Sequence, residues 1–103
     1  MPVPASIPSN PRSLEAIAQR LIATREALDL SQAEFCRRTG IATNTYNQWE
    51  MAHGRPSLDQ AVKIAEEFDV PLDWIYLGKL NKVPHELALK IKKRMPLPPD
   101  PAA

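Results

Sequence analysis

The sequence contains a single cysteine, Cys36, and only two histidines, His53 and His85. One thiol excludes an internal disulfide framework, and neither histidine has a second ligand at the spacing of a zinc site. With only two histidines, the sequence also offers no credible Ser/His/Asp or Cys/His catalytic site. We therefore expect no enzymatic activity, no metal, no cofactor and no small-molecule substrate. Cys36 is interpreted as a small buried hydrophobe, with redox sensing as the alternative.

Long hydrophobic runs are missing as well. No stretch approaches the roughly eighteen consecutive apolar residues of a membrane span. The first residues, "MPVPASIPSNP", have neither the basic start nor the continuous apolar stretch of a secretory signal. Together with the single cysteine, these features predict a reduced, cytoplasmic location without membrane association.

The chain also lacks a strong excess of one charge. Its net charge is +1 and its pI is about 7.9, below the basic footprint of many nucleic-acid binders. The distribution is uneven, since residues 56–78 hold one lysine against five acidic residues, whereas residues 79–103 hold six basic residues against two acidic ones. For the binding of a charged partner, this uneven distribution of charge matters more than the net charge does.

Strand-like alternation is absent, and apolar residues recur at helical spacing instead. A first helix in "SLEAIAQRLIATREAL" has one apolar face. A second opens with the capping box Ser31 and Glu34 and ends at Gly40, a residue suited to a left-handed backbone. A third covers about Thr43 to Met51. "SLDQAVKIAEEF", which opens with a second capping box, and "PLDWIYLG" supply a fourth and a fifth helix. The pattern predicts an all-α domain over residues 13–78.

The segments outside that domain are rich in proline or lysine. Residues 1–12 are predicted to be a disordered arm. Residues 79–103 are predicted to hold a basic C-terminal helix, "PHELALKIKKRM", followed by a flexible proline-rich tail. This helix has three interpretations, namely a solvated appendage, a dimerisation arm that uses Leu87 and Ile91, or an additional contact to DNA.

The second and third helices are joined by the tight turn "TGIA", which is typical of a helix-turn-helix unit. Tyr46 and Trp49 are three residues apart and are predicted to face the core, as is Trp74. The opposite face of the third helix then carries polar side chains and one methionine: Thr43, Asn44, Asn47, Gln48 and Met51.

These features resemble the Cro/phage-repressor type of helix-turn-helix protein, the XRE family. The matching residues are "SQAEF", Gly40, "WE" with Gly54, Pro56 and Ser57, and "LDWIYLG", over about residues 13–78. The resemblance implies a five-helix, lambda-repressor-like domain with a short extra C-terminal helix. It also implies a transcriptional regulator, in the expected case a repressor, that binds double-stranded DNA as a homodimer.

The resemblance also assigns residues to the interface. Thr43, Asn44 and Gln48 fall where the family reads base edges, with Asn47 beside them; amides pair with adenine N6 and N7, and the threonine methyl contacts thymine. The expected backbone contacts are Gln32, Arg55 and His53. Glu50 is expected to be structural.

The sequence departs from the family pattern in ways that keep an alternative open. Ala42 stands where the family often has a capping Ser or Thr, so the cap is expected to fall to Thr43. Gln48 replaces an arginine found in many relatives. The missing arginine at position 48, the low net charge and the acidic block at residues 56–78 favour, as the alternative, a protein-interaction adaptor or antitoxin on the repressor fold with weak or no DNA binding.

Overall fold

The computed structural model describes residues 10–95, in which the backbone forms six helices and no strand. The helices are α1 (Leu14–Ala27), α2 (Gln32–Thr39), α3 (Thr43–Glu50), α4 (Leu58–Phe68), α5 (Leu72–Leu77) and α6 (His85–Arg94). The predicted all-α fold is confirmed. Residues 1–9 of the predicted arm and 96–103 of the predicted tail lie outside the described residues.

Side-chain caps begin three of the helices. The hydroxyls of Ser13, Ser31 and Ser57 each accept a hydrogen bond from the backbone N–H three residues later, at 3.1, 3.1 and 3.3 Å. The reciprocal bond of a capping box, from the side chain at the third helical position back to the serine N–H, is absent from both predicted boxes. The Glu34 carboxylate pairs with Arg37, and Gln60 Oε1 is buried without a hydrogen-bond partner among the described residues. Gly40 ends α2 with a φ of 78°, as the sequence predicts, and its N–H donates to the Cys36 carbonyl at 2.8 Å.

The N-cap of α3 differs from the expectation, whereas the extent of the helix agrees with the predicted range of about Thr43 to Met51. Ala42 occupies the N-cap position without a side-chain hydrogen bond, and Thr43 is the first helical residue, so the expected cap on Thr43 is wrong. At the other end it is Ala52, with a φ of 61°, that takes the left-handed conformation. The N–H of Ala52 donates to Trp49 and that of His53 donates to Gln48, at 3.1 and 2.9 Å, which closes a Schellman motif.

The core is built around aromatic rings from α2, α3 and α4. Phe35 lies between Tyr46 and Phe68, with ring centroids 4.6 and 4.8 Å away. Trp49 meets Tyr46 edge-on at 5.9 Å, so the inward face predicted for α3 is confirmed. The predicted core position of Trp74 is confirmed too, and its indole N–H donates to Thr24 Oγ1 at 2.8 Å. These contacts hold α3 with its other face outward.

Helix α6 packs against α1 and belongs to the same core as the preceding helices. Ile91 is fully buried, and Val83, Leu87 and Ala88 are buried beside it. The lysines of α6 lie on its exposed side. The packing unit therefore extends past residue 78, and the apolar stripe of α6 is covered within the chain.

Arg20 ties α1 to α5. It is 5% exposed, and its guanidinium donates to the carbonyl oxygens of Ile75, at 3.0 and 3.2 Å, and of Pro11. Burial lowers the pKa of Arg20 to about 10, so the side chain stays charged at neutral pH. None of the described helices is both long and apolar enough to cross a membrane.

We predict that Ile91→Ala lowers the free energy of unfolding by about 3 kcal/mol, because it leaves a cavity between α6 and α1. Urea denaturation of the full chain measures this change. Leu89, on the same helix but 46% exposed, provides the matched control, and Leu89→Ala should cost less than about 1 kcal/mol. Equal effects of the two substitutions would contradict the packing of α6 described above.

Candidate nucleic-acid interface

The outward face of α3 presents polar side chains to solvent. Thr43, Asn44 and Gln48 are exposed, and Met51 is 52% exposed at the end of the helix. Asn47 differs from them because it is half-buried. The structure thus brings the four predicted base-reading residues to one side of α3, with Asn47 at the boundary to α2.

Gln32 contacts α3 directly. It is the first residue of α2, and its Nε2 donates to Glu50 Oε1 at 2.7 Å and to Asn47 Oδ1 at 3.2 Å. A glutamine amide has two hydrogens, and these two bonds use both. A phosphate contact from the same Nε2 would therefore replace one of them. The backbone N–H groups at the start of α2 are the remaining donors there.

A buried ion pair supports this arrangement from α1. Arg25 Nε lies 2.8 Å from Glu50 Oε2, and Arg25 Nη2 lies 3.2 Å from Glu50 Oε1, which is the two-pronged geometry of a strong arginine–carboxylate pair. Only 15% of the Arg25 side chain and 6% of the Glu50 side chain are exposed. The third arginine nitrogen donates to the carbonyl of Leu30 at 2.9 Å. The pair joins α1, the α1–α2 loop and α3.

The two partners shift each other's pKa. Desolvation opposes the charge of Glu50, but hydrogen bonds from Arg25, Tyr46 and Gln32 outweigh it and hold the pKa of Glu50 below its ordinary value. The hydrogen bond to Glu50 raises the pKa of Arg25. Both groups are charged at neutral pH. Glu50 faces Arg25 and Gln32 inside the domain, in agreement with the structural role expected for it.

The segment after α3 carries the other predicted backbone contacts. His53 is exposed, and its Nδ1 lies 3.1 Å from Gln48 Oε1. Arg55 is also exposed, and the next residue, Pro56, is anchored because its carbonyl accepts a 2.8 Å hydrogen bond from the Tyr76 hydroxyl. His53 therefore touches a predicted base-reading residue, whereas Arg55 extends from a loop that α5 holds in place.

The remaining reactive groups are buried or paired. Cys36 is 3% exposed, and burial raises the pKa of its thiol, as expected of an inert core residue. Arg38 pairs with Glu67 at 3.0 Å, which neutralises one basic residue of α2. Within residues 10–95 no three His, Cys, Asp or Glu side chains are grouped to hold a metal.

Sequence reasoning missed the brace formed by Arg25, Gln32, Asn47 and Glu50. One signal is present in the sequence: Arg25 follows Leu21 by four residues and precedes Leu28 by three, so it lies along the apolar stripe of α1. A charged residue at such a position requires a buried partner. Which carboxylate supplies it depends on how α3 crosses α1, which the periodicity of a single helix does not specify.

Comparison with known proteins points to one family. A family model described as "Helix-turn-helix" matches residues 21–75. The cryptic phage CTXphi transcriptional repressor RstR of Vibrio cholerae serotype O1 is 30% identical over 77 residues, which are 75% of this chain and 69% of RstR. No solved structure gives a significant match.

Two further relatives are described as uncharacterized HTH-type transcriptional regulators. That of Haemophilus influenzae is 36% identical over 50 residues, which are 48% of this chain and 21% of the relative. YobD of Bacillus subtilis is 35% identical over 57 residues, which are 55% of this chain and 51% of YobD. The chain thus spans about half or less of these two proteins.

We predict that Glu50→Gln lowers the free energy of unfolding at pH 7 by about 3 kcal/mol, because it leaves the buried Arg25 without its counter-charge. A lowered folded-state pKa means that the contribution of Glu50 is present above about pH 4.5 and is lost as the pH falls through that lowered value. Urea denaturation between pH 7 and pH 3 should show a smaller acid dependence in the variant.

Glu34→Gln is the control, since the Glu34–Arg37 pair is exposed and should contribute less than about 1 kcal/mol. If Glu50→Gln behaved like Glu34→Gln at both pH values, Glu50 would not stabilise the domain through Arg25.

Proposed function

The chain belongs to the XRE-type helix-turn-helix family of DNA-binding transcription regulators, and we propose that it is a sequence-specific repressor that binds as a homodimer. Helix α3 lies in the major groove of each half-site. The observation that carries this proposal is the polar composition of the outward face of α3, where Thr43, Asn44 and Gln48 are exposed beside Met51.

The chemistry of that face suits the edges of base pairs. Amide side chains pair with donors and acceptors in the major groove, and the threonine methyl packs on the methyl of thymine. Thr43 and Asn44 are in the first turn of α3, and Gln48 follows Asn44 by four residues on the same side. Three side chains at this spacing reach successive base pairs when the helix lies in the groove. Asn47 contributes at the edge of this surface.

Backbone contacts flank the base-reading residues on both sides. Arg55 is an exposed cation in the segment after α3, with His53 two residues before it. At the other side, the start of α2 offers backbone N–H groups that favour a phosphate. Gln32 also lies on this side, where its bonds to Asn47 and Glu50 hold α3, and its contact to a phosphate replaces one of those two bonds. Phosphate contacts of this kind set register rather than sequence.

Repression follows from occupancy of a promoter and requires no catalytic group. The relative RstR is a phage transcriptional repressor, and it matches 75% of this chain. A twofold dimer places two α3 helices about one turn of DNA apart, which requires an approximately palindromic operator.

Selection of bound sequences from a random duplex pool at moderate salt tests the proposal. We expect enrichment of a palindrome with half-site centres about ten base pairs apart. Enrichment of an isolated half-site would contradict the dimer but retain DNA reading. No enrichment by folded protein would contradict the proposal and favour the protein-interaction adaptor. Affinity for the selected site should fall steeply as salt rises, whereas an adaptor contact based on apolar burial should not.

We further predict different effects of two glutamine substitutions on the selected site. Gln48→Ala should cost about 1–3 kcal/mol and relax the preference at one base pair per half-site. Gln32→Ala should weaken binding to all sequences alike, because a phosphate contact carries no sequence information. Gel-shift titrations on matched and single-mismatch duplexes measure both effects.

Gln19, an exposed residue of α1 outside the proposed interface, is the matched glutamine control and should tolerate alanine. The assignment of roles would be wrong if Gln48→Ala and Gln32→Ala gave the same pattern over the mismatch series.

A further inference from the structure

The amide side chains on the outward face of α3 share one orientation. Asn44 Oδ1 accepts from the N–H of Thr45 at 3.0 Å, and Asn47 Oδ1 accepts from Gln32 at 3.2 Å. The third amide, that of Gln48, has its Oε1 3.1 Å from His53 Nδ1. Each carbonyl oxygen is thus engaged within the protein. The NH₂ groups are left as the groups that an approaching ligand meets, and Asn47 directs one of its N–H bonds to Met51.

This orientation matters because bases differ in what they present in the major groove. Adenine is read by an amide that donates to N7 and accepts from N6–H, so it requires the amide oxygen. Guanine presents two acceptors, N7 and O6, and thymine presents the acceptor O4. A carbonyl oxygen has two lone pairs, so one hydrogen bond does not block it, but that bond fixes the direction of the oxygen. An amide whose oxygen is held toward a donor in the protein presents its NH₂ group more readily, and is therefore matched to guanine or thymine better than to adenine.

We propose that His53 is a positioning residue that makes Gln48 select guanine or thymine over adenine. This inference rests on the proposed function, since it specifies which base edge the interface reads. In place of the adenine pairing expected from the sequence, Gln48 donates to the acceptors that guanine or thymine presents in the major groove. His53 thereby has a role in specificity in addition to any contact with phosphate.

The geometry fixes His53 beside Gln48 through the backbone as well. The N–H of His53 donates to the carbonyl of Gln48 at 2.9 Å, as part of the turn in which Ala52 is left-handed. In this orientation of the amide, the side-chain bond requires a hydrogen on Nδ1, because Gln48 Oε1 only accepts. The His53 ring is exposed, so its replacement removes this bond without opening the core.

Two variants of His53 separate positioning from other roles. His53→Asn keeps an N–H donor, because the amide nitrogen of an asparagine side chain is as many bonds from Cα as Nδ1 of histidine is, whereas His53→Ala removes the donor. Each full-length protein is subjected to the random-pool selection. It is then titrated on four duplexes that differ only at the pair whose preference Gln48→Ala abolishes.

We expect the wild type and His53→Asn to prefer guanine or thymine at that pair. His53→Ala should shift the ratio of affinities toward adenine by about five- to tenfold, the lower part of the range that one amide–base pair supplies. In a Gln48→Ala background, His53→Ala should not change the ratio. His85→Ala, at the start of α6, is the histidine control and should behave as the wild type.

The contradicting outcomes are distinct. Adenine preference in the wild type, or an unchanged base ratio in His53→Ala, would overturn the inference while the proposed function stands. A uniform loss of affinity in His53→Ala would leave only a phosphate contact for this residue and would overturn its positioning role. Failure of the wild type to enrich any sequence would overturn the proposed function itself.

Discussion

The placement of α3 depends on the buried pair between Arg25 and Glu50. Glu50 is the last residue of α3, where the helix dipole disfavours a negative charge, and its side chain is almost fully removed from water. Both costs are offset only because Arg25 binds both carboxylate oxygens and Gln32 adds a third hydrogen bond. These bonds therefore fix the position of the C-terminal end of α3 relative to α1 and to the start of α2. Hydrophobic contacts of Tyr46 and Trp49 fix which face of α3 is buried, but such contacts are non-directional. The directional bonds to Glu50 select one orientation among those that bury the same rings.

How far the sequence predicts the fold can be judged element by element. Local signals are sufficient for the helical content, for the end of α2 at Gly40 and for the inward position of Tyr46 and Trp49, because each depends on residues within one or two turns. The sequence predicts the N-cap of α3 at Thr43 because hydroxyl side chains favour that position, but Ala42 is the N-cap in the structure and Thr43 is the first helical residue. The apolar stripe of α6 is narrow, and the sequence does not show what covers it, because its partner surface on α1 lies about seventy residues earlier in the chain. Periodicity identifies an apolar stripe without identifying the surface that covers it.

The candidate site divides in the same way. Exposure of Thr43, Asn44 and Gln48 follows from the helical period alone. The state of each amide does not, because it depends on donors from other elements or beyond the end of α3: Gln32 from α2 for Asn47, and His53 from the following turn for Gln48. His53 reaches Gln48 because Ala52 adopts a left-handed backbone, a conformation that sequence statistics assign to glycine or asparagine rather than alanine. The sequence thus identifies the residues proposed to read DNA, and the tertiary contacts determine the orientation of their polar atoms.

Low net charge and pre-oriented amides have a combined consequence for recognition. The general attraction between protein and DNA scales with the phosphates neutralised, and this chain has a net charge of only +1, with Arg37 and Arg38 already paired to carboxylates. In the proposed complex, this low charge predicts weak non-specific binding, so that a larger share of the affinity comes from base contacts. Ordering a free glutamine side chain costs up to about 2 kcal/mol of entropy, and bonds such as that between Gln48 and His53 reduce this cost before DNA arrives. Under the proposed function, such a domain discriminates between sequences through the ratio of specific to non-specific affinity rather than through strong binding to DNA in general.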